Sequence, residues 1–302
     1  MVEPANTSST IGIAVSSGHI RAVTLDKQGA VESSQAFEIA SDKSLAGQIK
    51  EVVAKAPGPF GAMGIAVPGM VDIKASRIVD SRIHELTEVD LLSEVGGLTA
   101  GNLVIENDVN AAAFAELKIG AGRARKNMLC VILGEGVGSG LILDGKIWRG
   151  SHGYAGEFGL IVVDEEGLRL EEVASAPNLV RRTRTRLHQD STSTLSKEGE
   201  DGVDLDNILA AAAEEDDLAR LMLERTGFYV GSAIGMAINL LDVGMIVIGG
   251  EVTKAGGVIL DSIVQRAKEC ASHHSFEATD IVVSTLGEDA SAIGVALLAR
   301  ES

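Results

Sequence analysis

The chain has 302 residues, a formal net charge of −17, 45% hydrophobic residues and 35 glycines, which suits two α/β domains or one large one. The acidic balance repels polyanions over most of the surface, and 3% aromatic content leaves too few rings for a base-stacking platform; no DNA binding by this chain alone is expected. Residues 1–9 hold neither an apolar core nor a basic leader, so a cytoplasmic protein with no membrane span is expected. Cys130 and Cys270 are far apart in apolar or helical settings, as reduced, buried thiols would be.

In chain order, the first 40 residues read as three strands, TIGIAV, IRAVTL and a less regular AVESSQAFEI, with Asp26 to Gly29 as a hairpin turn. A helix over 44–56 and the strand AMGIAV follow, so an antiparallel sheet passes into a βαβ pattern, broken at Pro68-Gly69. Strands MLCVIL and SGLIL flank a glycine turn at 134–140, and helices are expected over 171–187 and 206–240. Between those helices HQDSTSTLSKEGEDG is polar and reads as a surface loop. The strand MIVIGG, a helix over 258–272, the strand DIVVS and a packed helix over 289–300 complete the chain. Two basic clusters, Arg123, Arg125 and Lys126, and Arg181, Arg182, Arg184 and Arg186, read as solvated faces. The six histidines, His273 and His274 among them, show no metal-ligand spacing with cysteine.

The segment Ile105-Glu106-Asn107-Asp108-Val109-Asn110-Ala111 is the most informative. An apolar strand there delivers a carboxylate to the start of an alanine-rich helix, where a catalytic base would sit. The competing reading is that Asp108 or Asn107 caps the helix, because Asn and Asp satisfy exposed helix N–H groups.

Four more segments stand in a fixed order around it: GIAVPGMVD at 64–72, LGEGVGSG at 133–140, GYAGEFG at 153–159 and IVIGGE at 246–251. Together the series resembles the ROK family of repressors, open reading frames and sugar kinases, from about residue 10 to about residue 299. The resemblance implies an actin-like, ribonuclease-H-like fold of two α/β domains with a sugar cleft between them. The expected division is 1–110, completed by 289–302, and 111–288. By the same resemblance Asp108 is the catalytic base, and Gly69, Asn107, Asp108, Glu157 and Glu171 bind a hexose or amino sugar. Ser16, Ser17, Gly134, Gly136, Gly138, Gly249 and Gly250 stand at the nucleotide-binding turns, with Mg and ATP as cofactors of an active kinase. A homodimer is the usual family assembly.

The chain also departs from the family pattern. Family kinases carry an aspartate, a glycine pair and a threonine after the opening strand, whereas this chain has Ala14, Ser16, Ser17 and Gly18. Glu135 replaces the threonine of the second turn and opposes a triphosphate by like charge. The family's zinc histidine is Leu160, and its cysteine run is Asp164 to Leu170, so zinc is not expected. The region near Arg82 departs as well. Three roles follow: an ATP-dependent sugar kinase, a non-catalytic sugar or sugar-phosphate sensor with eroded phosphate loops, and an interaction protein with a vestigial site. About ten residues precede the first strand, too few for a helix-turn-helix module, so an autonomous repressor is not expected.

Overall fold

The computed structural model describes residues 9–73, 75, 77–83, 85–88, 90–99, 101–188, 192–197, 199 and 202–302. The expectation drawn from the first residues and part of the polar loop fall on 1–8, 189–191, 198, 200 and 201, outside the described residues. The chain forms two compact units, one of residues 1–126, 140–155 and 285–302, the other of 127–139 and 156–284.

The chain runs β1 (Ser9–Val15), β2 (His19–Leu25), β3 (Val31–Glu38), α1 (Leu45–Lys55) and β4 (Phe60–Val67). A hairpin of β5 (Met70–Asp72) and β6 (Arg77–Asp80), short helices α2 (Glu85–Glu88) and α3 (Leu91–Val95), β7 (Leu103–Asn107) and α4 (Asp108–Lys118) come next. Then follow β8 (Met128–Leu133), β9 (Val137–Leu143), β10 (Lys146–Ile147), α5 (Leu170–Ala174), α6 (Ala176–Leu187), α7 (Leu205–Ala213) and α8 (Asp217–Leu241). The last elements are β11 (Met245–Gly249), α9 (Gly257–Cys270), α10 (His273–Glu277), β12 (Asp280–Val283) and α11 (Ala290–Glu301).

The first unit is built on a sheet of order β3-β2-β1-β4-β7. Its β1–β2 and β2–β3 pairs are antiparallel and its β1–β4 and β4–β7 pairs parallel. Alternating residues of β1 and β4 bury Ile11, Ile13, Met63 and Ile65 with Leu45, Ile49, Val52 and Val53 of α1 on one face. Helix α11 occupies the other. A Cβ on Gly64 would stand 2.2 Å from the Val295 carbonyl, and one on Gly294 would stand 1.7 Å from the Ala111 carbonyl. Only hydrogen at those positions lets α11 lie against β4 and α4. Unit 1 extends to Lys126, beyond residue 110 where sequence placed the division, because α4 is clamped by α11 and by β9, whose Gly140 backs onto Val109 and Ala113.

The second unit carries β8, β11 and β12 as a parallel set, in a sheet whose order is β10-β9-β8-β11-β12. Its central strands β8 and β11 are nearly continuous buried apolar runs, as parallel strands covered on both faces require. The chain passes from one unit to the other within β9, at Ser139/Gly140.

Two expected helices are broken. The helix expected over 171–187 stops at Ser175, whose ψ of 152° is extended, and restarts as α6 with Pro177 in its first turn. Proline lacks an N–H and its ring crowds the carbonyl four residues back, so it starts a helix rather than continuing one. The helix expected over 206–240 is α7 and α8, separated by Glu215 at φ +64° and by Asp216, which caps α8. Asp216 also anchors the loop before it. Its carboxylate accepts Ser193 Oγ at 3.0 Å and Thr194 N at 2.6 Å, while Leu195 is 2% exposed. The described part of that loop lies at the surface as expected, pinned there by Asp216 and by the buried Ser193 and Leu195.

Candidate functional site

In the first unit, β4 and β7 run parallel with Val67 beside Asn107, so both strands end at the same level. There the chain turns directly from β7 into α4. Asn107 is the cap: with φ −61° and ψ 140° it is extended, and its Oδ1 accepts the N–H groups of Val109 (3.0 Å) and Asn110 (2.9 Å). Its Nδ2 donates to the Gly69 carbonyl at 3.0 Å and to Asp108 Oδ1 at 3.1 Å. Asp108 is the first helical residue, half-buried, and its Oδ1 also accepts Val109 N at 2.9 Å. The structure therefore brings Gly69, Asn107 and Asp108 into one hydrogen-bonded group. The first turn of a helix also favours an anion through the aligned peptide dipoles.

Gly69 has φ +111°, and a Cβ there would stand 2.1 Å from the Asp80 carbonyl. The return of β6 against β5 therefore gives this glycine a packing reason of its own, beside the sugar contact that the resemblance implies. Ser16 belongs to the β1–β2 turn. Its N–H and Oγ both donate to the His19 carbonyl, and its Oγ accepts His19 N at 3.1 Å. Its hydroxyl thus serves the turn; Ser17 beside it is exposed. Ala14, at the position of the family aspartate, packs against Ala66, Ala111 and Val295.

In the second unit, Glu157 and Glu171 are both fixed along one edge of β9. The Ser139 N–H donates to the carbonyl of Gly156, next to Glu157, at 3.1 Å, and the Val137 N–H donates to Glu171 Oε2 at 3.1 Å. N–H groups two apart on a strand point to the same edge. The turn between β8 and β9 closes through Gly134 N to the Gly136 carbonyl at 2.9 Å, and the Gly134 carbonyl accepts Ala176 N from the start of α6 at 2.8 Å. Gly136 lies in this turn and Gly138 within β9. Gly249 ends β11, and Gly250, at φ +97°, lies so close to the end of β8 that a Cβ would stand 2.3 Å from the Leu133 carbonyl. The two glycine turns are thus neighbours.

Beside them opens a cavity of about 580 Å³, lined among others by Glu135, Ala176, Arg181, Arg184, His188 and Glu251. The arginine cluster of α6 was expected as a solvated face. Arg184 instead donates from Nε (2.9 Å) and Nη2 (2.6 Å) to the Val203 carbonyl, and Arg182 donates to the Val173 carbonyl and to Thr226 Oγ1. Burial lowers the Arg182 pKa, helped by the charge of Arg225. Arg182 thus ties α6 to α5 and α8, and Arg184, on the face that edges the cavity, ties it to the segment before α7, while Arg181 and Arg186 are exposed as the sequence suggested. Arg123, Arg125 and Lys126 are exposed.

At the family's zinc position the residues do not fit a metal. Leu160 is exposed, and the Asp164 carboxylate accepts Glu166 N at 3.0 Å and Leu168 N at 2.8 Å. A carboxylate turn, closed by Val163 N to the Leu168 carbonyl, ties the segment there. Magnesium meets a similar gap at the end of β1, where Ala14 offers no side-chain oxygen.

Two α/β units, each built on a sheet with parallel strands, and acidic groups at strand ends define the class: a two-domain actin-like ATPase fold. The ROK family profile matches residues 10–302, and the chain belongs to the ROK family. It is 31% identical over 273 residues to a glucokinase of Halalkalibacterium halodurans, covering 87% of this chain and 81% of that one. Among solved structures it is similar to a ROK family glucokinase from Streptomyces griseus in complex with glucose and AMPPNP, with TM-score 0.87, 28% identity, and coverage of 97% and 100%. It is also similar to a ROK family transcriptional regulator, a homologue of the E. coli MLC protein, with TM-score 0.85, 25% identity, and coverage of 97% and 78%. The chain is a sugar kinase-like member of the family.

Proposed function

We propose that the chain phosphorylates a hexose with ATP, glucose being the first candidate because similar chains and structures are glucokinases. Asp108 takes the proton of the attacking sugar hydroxyl as its oxygen bonds to the γ-phosphorus and ADP leaves. Asn107, Gly69, Glu157 and Glu171 hold the sugar, the glutamates accepting directional bonds from its hydroxyls. The turns at Gly134 to Gly138 and at Gly249 and Gly250, with Ser16 and Ser17, face the nucleotide. Magnesium arrives with the phosphates rather than on a protein carboxylate at position 14, and neutralises their charge when bound. A cytoplasmic homodimer is part of this reading; among the described residues no helix is long and apolar enough to cross a membrane.

The observation that carries the proposal is that Asn107 caps α4. Asn107 alone accepts the N–H groups of both Val109 and Asn110, so the cap does not require the Asp108 carboxylate that shares Val109 N–H, whereas general base catalysis does. A second reading, a sugar sensor without chemistry, is favoured by Ala14 packing in an apolar cluster and by Glu135 standing exposed in the phosphate turn. Calorimetric titration of Mg·ATP with and without a panel of hexoses and N-acetylated amino sugars separates them. Nucleotide binding strengthened by one sugar, with turnover of that sugar, is the kinase outcome. Sugar binding with no nucleotide heat overturns it in favour of the sensor.

A further inference from the structure

Directly before the Asn107-Asp108 pair, Glu106 is 1% exposed although it is charged, and none of the chemistry above uses it. Its Oε1 accepts the backbone N–H of Asn107 at 2.9 Å and Nδ2 of Asn110 at 3.3 Å. Its Oε2 accepts Nε and Nη2 of Arg149 at 3.0 and 2.5 Å. Arg149 lies 43 residues further along the chain, just after the β9–β10 hairpin. That hairpin reaches α4 because Gly140 has no side chain: a Cβ would stand 2.6 Å from Ala113 Cβ and 2.7 Å from the Val109 carbonyl. Asn110 is 4% exposed, and its Oδ1 is buried without a hydrogen-bond partner among the described residues. Turning the amide over would set that oxygen against the Glu106 carboxylate, so the buried anion dictates the orientation and leaves the oxygen orphaned.

A buried carboxylate persists only when paired and hydrogen-bonded, and the planar fork of an arginine holds a carboxylate in one orientation where a lysine would not. The fork of Arg149 orients Glu106, Glu106 holds the Asn107 N–H, and Asn107 holds Asp108 Oδ1 through Nδ2. We infer that Arg149 is a positioning residue: acting through Glu106, it sets the placement of Asn107 and so the aim of the Asp108 carboxylate. For catalysis this rests on Asp108 acting as the base.

The test compares the parent with Arg149→Met and with Glu106→Gln/Arg149→Met, which removes both charges and so keeps the fold if the single variant loses it. Amide hydrogen exchange is followed by NMR at Asn107, Val109 and Asn110. Ala121 and Leu286 are the controls, because their N–H groups bond to the buried Glu116 carboxylate of the same unit. Sugar phosphorylation is assayed in parallel. The expected result is at least tenfold faster exchange at Asn107 and Val109 with the controls unchanged, and a kcat about 100-fold lower, the usual scale for a reacting group misplaced by about 1 Å, at an unaltered KM for ATP. Parent-like exchange at Asn107, or equal acceleration at the controls, overturns the positioning role. If the parent phosphorylates no sugar, the base assignment fails by itself, and the exchange comparison still decides what Arg149 does.

Discussion

The backbone N–H of Val137 donates to the carboxylate of Glu171 at 3.1 Å, so a glutamate assigned to sugar also holds the strand that leaves the phosphate turn. Glu157 follows Gly156, whose carbonyl accepts the N–H and hydroxyl of Ser139, one residue further along β9 from Gly138. Glu171→Ala is therefore expected to raise KM for both sugar and ATP, each about tenfold, as loss of one charged hydrogen bond implies. Glu157→Ala should raise KM for the sugar alone. Steady-state kinetics with each substrate varied decide it, and equal effects of the two variants on ATP would refute the coupling.

Replacing Asp108 with Asn keeps the shape of the first turn of α4 and removes the proton acceptor. Phosphorylation should fall by roughly 10² to 10⁴, the usual contribution of a general base. Sugar affinity by calorimetry should change little. Turnover comparable to the parent would sink the base assignment.

Glu135 and Ala14 do not respond alike to restoring the family residues. Glu135 is exposed, so Glu135→Thr removes a like charge without disturbing packing; ATP should bind about three- to tenfold tighter at unchanged Tm. Ala14→Asp places a carboxylate against Ala66, Ala111 and Val295, and Tm should drop by several degrees. Calorimetry and thermal melts of the two single variants check both. No gain in affinity for Glu135→Thr would favour the sensor.

Gly69→Ala should cost about 2 kcal/mol, the scale of forcing a side chain into a sparsely populated backbone region, with the added clash against Asp80. Urea denaturation measures the loss. A parent-like midpoint would contradict the packing reason for this glycine.

Acid stability should depend on Asp216. Burial opposes its charge, but hydrogen bonds from Ala219, Thr194 and Ser193 outweigh burial, so its pKa is lowered in the folded state. A lowered folded-state pKa makes the stabilising contribution complete above the unfolded value of about 4. The contribution is lost as pH falls through the folded value. Asp216→Asn should flatten this acid limb of the stability curve, and Asp216→Ala should cost about 3 kcal/mol at neutral pH through the lost cap and orphaned donors. Denaturant melts from pH 2 to 7 would reveal an unaltered limb if the assignment is mistaken.

The main strands and the capped end of β7 were legible in the chain because alternation, glycine turns and the Asn-Asp pair are local signals. The order of glycine and acidic motifs likewise carried the ROK family. Helix breaks at Ser175 and Asp216 were less legible: Pro177 signalled the first, but the second depends on Ser193 and Thr194, more than twenty residues away.

Sequence by itself determined which residue types stand at each motif, and with them the absence of a carboxylate at position 14 and of thiolates at the family's zinc run. Only the tertiary structure decided that Asn107 rather than Asp108 is the cap and that Gly69 answers to Asp80. It also decided that Arg149 meets Glu106 and that Arg182 and Arg184 of α6 serve distant carbonyls. The reason is physical: propensity and pattern act within a few residues, whereas a buried charge takes whichever partner the folded backbone brings to hydrogen-bond distance.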